Sequence, residues 1–122
     1  MPYFKKTLAK KLATEKLLKS GCSLSNSEGI IDGIIDAEYC DIKSHGFHYL
    51  PIFCNHLKIG KIRGHASPKL EKISSSSIKV NADNGFAHTA INIGLKHLIE
   101  MSSNEGISCM SIFNSYNCGV LG

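Results

Sequence analysis

Arginine is almost missing from this chain: thirteen lysines stand beside one arginine, Arg63. Arginine is the preferred fork for gripping carboxylates and phosphates, so any anion must be held here by other means. Paired cysteines are missing too. Cys22, Cys40, Cys54, Cys109 and Cys118 are odd in number and widely spread, with no C-x-x-C. That spacing excludes a disulfide framework and a zinc knuckle, and implies reduced thiols in a cytoplasmic protein. No apolar run approaches the length of a membrane span. The N-terminal Met-Pro-Tyr-Phe-Lys-Lys carries charge without the apolar stretch of a secretory signal. Neither G-x-G-x-x-G nor G-x-x-x-x-G-K-[ST] occurs, so no familiar phosphate cradle is written in the chain. There are no internal repeats and no linker.

What is present suits one small domain. The 122 residues are 43% hydrophobic and 20% charged, which argues against disorder, collagen and a membrane bundle. A chain of this length can bury a core without staples. The net charge of +4 gathers near the N-terminus and lacks the interleaved aromatics of a nucleic-acid surface.

The periodicity predicts a helix over residues 6–19, with Ala9, Ala13 and Leu17 on one face and Gly21 as its stop. Its lysines make a solvated polar face; a membrane-surface helix is the less expected reading. Ser25-Asn26-Ser27-Glu28 has capping-box spacing and predicts a second helix carrying Ile30, Ile31, Ile34 and Ile35. After the polar turn Lys43-Ser44-His45-Gly46, a third helix is expected with Leu50, Phe53, Cys54 and Leu57, closed by Gly60. Beyond Gly64 the period changes to two. Leu70–Ile73 and Ile78, Val80, Ala82 flank four serines and predict a β-hairpin. Asp83-Asn84-Gly85 reads as a turn, and residues 86–101 as a fourth helix whose apolar positions include Ala87, Ala90, Ile91, Leu95, Leu98 and Ile99. A strand over Ile107–Phe113 ends in the polar loop Asn114–Gly119. The expected class is mixed α/β. The apolar end Val120-Leu121 reads as a chain cut in mid-fold, so residues 1–122 are expected to be a single partial domain.

The densest polar cluster is Ser44-His45-Gly46, followed by His48, Tyr49 and His56. An imidazole in a turn between helices titrates near neutrality and suits acid/base work; the same triplet also serves as an ordinary capping turn. His48 and His56, and likewise His88 and His97, lack a third ligand at metal spacing, so no metal site is signalled.

Three ordered segments together resemble the N-terminal part of the type 2 malate/L-lactate dehydrogenase family, whose relatives include ureidoglycolate, sulfolactate and diketogulonate oxidoreductases and cyclic-imine reductases. Ser44-His45-Gly46, Leu50-Pro51 and Gly60-Lys61-Ile62 resemble the family's S-H-G-x-x-R-L-P-x-Y followed by G-x-I. Asp83-Asn84-Gly85-Phe86-Ala87 is similar to its aspartate-glycine turn before a small-residue helix. Gly106-Ile107, Asn114-Ser115 and Gly119 resemble G-I…N-S-x-H-x-G.

The resemblance implies the N-terminal third of a non-Rossmann α/β fold and hydride transfer between NAD or NADP and C2 of a small 2-hydroxy or 2-oxo acid, or the matching imine. It implies a homodimer when full length, with His45 as catalytic acid/base and Ser44 as its orienting partner. Tyr49, Asn114 and Ser115 fall at positions expected to meet substrate. The chain departs from the family at Asn117, where a second histidine is usual, at Tyr49, where arginine is frequent, and at Phe53, where a tyrosine follows. Asparagine donates a hydrogen bond but takes no proton. Lys61 and Arg63 are candidate cations to replace the missing charge, without support from their positions. Most of the cofactor site is expected outside these residues, so the chain alone is expected to be inactive. The alternative reading is a non-catalytic oligomerisation or partner-binding module derived from the family.

Overall fold

The lysine-rich stretch folds as its period predicts: α1 is Lys6–Lys19, with Ala13 and Leu17 fully buried. Lys16 and Lys19 in its last turn complement the helix dipole, and Gly21 turns the chain at φ +95°. The computed structural model describes residues 4–117 and Gly119. The sequence features on Met1–Tyr3, Cys118 and Val120–Gly122 lie outside the described residues. The chain divides into two compact units, the first reaching to His65 and including Gly119, the second beginning at Ala66.

In the first unit α2, Leu24–Tyr39, packs against α1 through Ile30, Ile31, Ile34 and Ile35. Its cap differs from the expected box. Ser23, not Ser25, is the N-cap, and its Oγ accepts from the Asn26 amide at 3.3 Å. Four serines crowd this junction, and the one in extended conformation (φ −73°, ψ 156°) takes the role. Two 3₁₀ turns, Lys43–His45 and Phe47–Tyr49, lead into α3, Leu50–Lys58, whose Phe53 and Leu57 are buried. Gly64 is required by a close approach: a Cβ there would lie 2.0 Å from the Gly21 carbonyl oxygen. The Gly64 carbonyl accepts from the Ser23 amide and from Asn26 Nδ2, both at 3.0 Å, which ties the end of the unit to the α1–α2 junction.

The second unit is a three-stranded sheet in the order β1-β2-β3 with one helix. The hairpin forms as expected, with β1 (Lys69–Lys72) antiparallel to β2 (Ser77–Asn81). Strand β3, Cys109–Phe113, runs parallel to β2 with Val80 opposite Ile112. A parallel neighbour needs a long crossover, and α4, Ala87–Glu105, provides it. The expected helix stops at 101, but α4 continues to Glu105 before Gly106 turns it at φ +84°. Its buried positions are Ala87, Ala90, Gly94 and Met101, while Leu95 and Ile99 are exposed. Small residues on one stripe let the helix lie close to the sheet, where Val80, Ala82 and Ala90 form a core flanked by Leu70, Met110 and Ile112. Among the described residues, no helix is long and apolar enough to cross a membrane.

Candidate active site

Residues Ser44 and His45 lie in the first 3₁₀ turn, between the end of α2 and the start of α3. Ser44 Oγ and His45 Nδ1 are 2.9 Å apart, a hydrogen bond that engages one of the two ring nitrogens. A hydroxyl can play either part. When Ser44 accepts from Nδ1–H, Nε2 is a base; when Ser44 donates to Nδ1, Nε2 carries the proton. Only the first tautomer leaves a basic Nε2, and in the imidazolium Nδ1–H still donates to Ser44. Ser44 is exposed and His45 half-buried, so the imidazole can be reached from solvent.

A stack of rings holds the imidazole. His45 and Tyr49 are near-parallel at 9°, with centroids 6.4 Å apart. Tyr49 in turn meets the edge of Phe53 at 4.8 Å and 70°. Phe53 belongs to the buried face of α3, so the order runs from the core through Tyr49 to His45. Gly119, at φ +70°, also approaches: a Cβ there would stand 3.8 Å from His45 Cδ2.

The other candidates belong to the second unit. Asn114 follows β3 in the left-handed region at φ +50°. Its carbonyl accepts from the Asn84 amide at 2.7 Å, and its Nδ2 donates to Asn81 Oδ1 at 3.3 Å. That side chain supports a turn. Ser115 and Asn117 are exposed, and Tyr116 between them donates its amide to the Gly85 carbonyl at 2.8 Å and sets its ring edge-on to Phe86. The structure thus gathers Ser44, His45 and Tyr49 into one cluster, and sets Asn114, Ser115 and Asn117 along one loop.

His88, in the first turn of α4, drew no attention in the sequence beyond metal spacing. Its Nδ1 is buried without a hydrogen-bond partner, and burial pushes the imidazole below its ordinary value. Burial likewise pushes the Cys22 thiol up to about 11, so that sulfur stays protonated. No group of three His, Cys, Asp or Glu side chains gathers to hold a metal among the described residues. A dinucleotide does not fit the Ser44–His45–Tyr49 cluster by itself, because its only ionisable cation is the imidazole and two phosphates need more.

Comparison with known proteins places these features in context. The sequence profile of the malate/L-lactate dehydrogenase family matches residues 4–122. The chain is 33% identical over 110 residues to a Δ(1)-pyrroline-2-carboxylate reductase of Burkholderia ambifaria, covering 90% of this chain and 32% of that protein. It is 31% identical to the (2R)-3-sulfolactate dehydrogenase (NADP(+)) of Chromohalobacter salexigens, covering 93% and 34%. The fold matches Δ1-piperideine-2-carboxylate reductase from Pseudomonas syringae with a TM-score of 0.90 at 23% identity, over 94% of this chain and 35% of that one. Malate dehydrogenase from Entamoeba histolytica matches with a TM-score of 0.89 at 25% identity, over 99% and 34%. The chain spans about a third of the length of the relatives it matches.

Proposed function

The chain belongs to the malate/L-lactate dehydrogenase family, and from that premise we propose that it supplies the proton-transfer part of a nicotinamide-dependent oxidoreductase. The substrate class is a small 2-oxo or 2-hydroxy acid or the related cyclic imine, as the names of the relatives suggest. The observation that carries this reading is the Ser44–His45 hydrogen bond on a turn reachable from solvent. In the reducing direction negative charge grows on the substrate oxygen or nitrogen, and His45 Nε2 delivers a proton to it; in the oxidising direction Nε2 takes the proton away. Ser44 accepts from Nδ1–H in both states: the imidazolium carries the proton that Nε2 delivers, and the neutral ring left behind keeps Nδ1–H. The hydride is the chemistry that a bound nicotinamide supplies. Tyr49 holds the imidazole plane and offers the substrate a single hydrogen bond, not an arginine fork.

The relatives' remaining two thirds have no counterpart in these 122 residues. The chain alone is therefore proposed to lack turnover and dinucleotide binding, and the homodimer and the choice between NAD and NADP belong to the whole protein. Two measurements test this reading. Titration of NADH or NADPH with the 122-residue chain is expected to give no saturable fluorescence change. Fusion of residues 1–122 to the complementary part of the Burkholderia ambifaria reductase is expected to restore reduction of Δ1-pyrroline-2-carboxylate, a 2-oxo acid, or both. Replacing His45 by Ala should then remove that turnover; rates unchanged by the substitution would overturn the assignment.

One feature favours the partner-binding alternative. The first unit carries an apolar groove of about 670 Å³ lined by Phe4, Leu12, Ile35, Tyr39 and Leu50 among others. A module without catalysis predicts a defined oligomer of the 122-residue chain, and a His45→Ala change without consequence for any property of the fusion.

A further inference from the structure

Glu38 lies in the last turn of α2, seven residues before His45, in line with Ile31, Ile34 and Ile35 at helical spacing but exposed. Its carboxylate is engaged: the Phe47 amide donates to Glu38 Oε1 at 2.7 Å. The same carboxylate lies against Gly46. A Cβ at that position would stand 2.0 Å from Oε1, 2.6 Å from Cδ and 2.9 Å from Cγ of Glu38. Gly46 is buried and separates the two 3₁₀ turns, one carrying Ser44 and His45, the other ending at Tyr49.

We infer that Glu38 is a positioning residue: its carboxylate clamps the Gly46–Phe47 backbone and thereby fixes how the turn presents His45 to substrate. The inference rests on the acid/base reading of His45 and deepens it. A charge-assisted hydrogen bond from a carboxylate to a backbone amide is among the stronger ones available. It acts here on the one peptide through which the two turns are joined, and the His45–Tyr49 stack spans that joint. Glycine at 46 is what admits the clamp, since any side chain there would occupy the space of the carboxylate. Glu38 touches no reacting atom, so its contribution is geometric. A misplaced acid/base of this kind costs about ten- to a hundredfold in rate.

The test has an arm that needs no activity. In the 122-residue chain, the Phe47 amide proton should shift as Glu38 is protonated on acidification. Glu38→Gln should abolish that titration and keep ring-to-ring cross-relaxation between His45 and Tyr49; Glu38→Ala should lose both. In the fusion, Glu38→Ala should lower kcat about tenfold or more with KM nearly unchanged, while Glu38→Gln, which keeps an acceptor oxygen, recovers most of the loss. Gly46→Ala should behave like Glu38→Ala, because the methyl displaces the carboxylate. A Phe47 amide indifferent to Glu38, or Glu38→Ala turnover equal to the parent while His45→Ala is inactive, would overturn the proposal. Wild-type turnover in His45→Ala overturns the acid/base reading and the positioning role with it, while leaving the amide titration in place, so the two failures are distinguishable.

Discussion

The turn that carries His45 and the turns that follow β2 and β3 all have local backbone bonds, but they differ in what ties them to the rest of their unit. In the first unit the His45, Gly46 and Tyr49 amides make local backbone bonds within the two 3₁₀ turns. The Phe47 amide between them, however, is held by a side chain, Glu38. The imidazole stacks on Tyr49, which meets Phe53. In the second unit Ala82, Asn84 and Tyr116 donate their amides to the carbonyls of Phe113, Asn114 and Gly85 at 2.7–2.9 Å. Backbone bonds of that kind continue the β2–β3 ladder and hold whatever side chains the loop carries. A side-chain clamp depends on particular residues. The difference teaches that single substitutions should reach the chemistry through the first unit, whereas the second unit tolerates them so long as its unusual backbone angles are respected.

The largest expected effect tests the chemical side of this contrast. His45→Ala in the fusion should lower kcat by roughly 10²- to 10⁴-fold, with the melting midpoint nearly unchanged because the ring is only half-buried. Asn114→Ala should leave kcat within about tenfold and appear mainly as lost stability, about 1–2 kcal/mol for an alanine forced to a left-handed angle. Equal losses of turnover would dissolve the contrast. Next in size is Gly64→Ala, whose methyl meets the Gly21 carbonyl oxygen at 2.0 Å. Backbone cannot step aside as a flexible side chain can, so the cost should be about 3 kcal/mol or more by urea denaturation. Leu17→Ala, at a fully buried position of α1, should cost about 2–5 kcal/mol. Hydrogen exchange should show that its loss of protection centres on the α1 and α2 amides.

Burial of His88 makes a pH test for the second unit. Its folded value lies below the ordinary 6.5 because desolvation penalises the charged ring. Between the folded value and 6.5 the unfolded chain binds the proton more readily, so stability rises with pH and falls as pH drops through 6.5. Urea midpoints at about pH 7.5 and about pH 5 should therefore differ less in His88→Gln than in the parent. An equal pH slope in both would show that this ring is hydrated in solution.

Much of this was legible in the chain. The span of α1 follows from Ala13 and Leu17 on one face and from Gly21 at its end. The hairpin follows from alternation around four serines. The order strand, helix, strand allows the parallel β2–β3 pair without requiring it, so that pairing comes from the fold. The start of α2 was less legible because Ser20, Ser23, Ser25 and Ser27 all offer a capping oxygen, and only backbone angles choose Ser23. The buried face of α4 was misleading, since hydrophobicity points to Leu95 and Ile99 while packing uses alanines and Gly94. The Ser44–His45 pair and Tyr49 stand out as a polar cluster, and their stacking follows from residues four apart bridging the two turns. Glu38 does not stand out. It falls in line with Ile31, Ile34 and Ile35, just past the last of them, and only the returning chain shows the amide that its carboxylate meets.

The smallest effect sharpens the contrast most finely. Asp83 and Asn84 are consecutive left-handed residues, at φ 56° and 57°. Asn84 contributes its backbone amide to Asn114, whereas Asp83 also accepts from the Ser67 amide through Oδ2 at 3.0 Å. Glycine at 84 relieves a left-handed penalty of about 1 kcal/mol and pays back about 0.5–1 kcal/mol in unfolded-chain entropy. Asn84→Gly should therefore be neutral to within about 0.5 kcal/mol. Asp83→Gly has the same backbone balance but also gives up the carboxylate bond, so it should be less stable than Asn84→Gly by about 1–2 kcal/mol. The two melts, compared directly, isolate that single side-chain contribution. Identical melts would mean that this turn is held by its backbone alone; a gap well beyond the expected one would mean that the second unit, too, hangs on a carboxylate clamp.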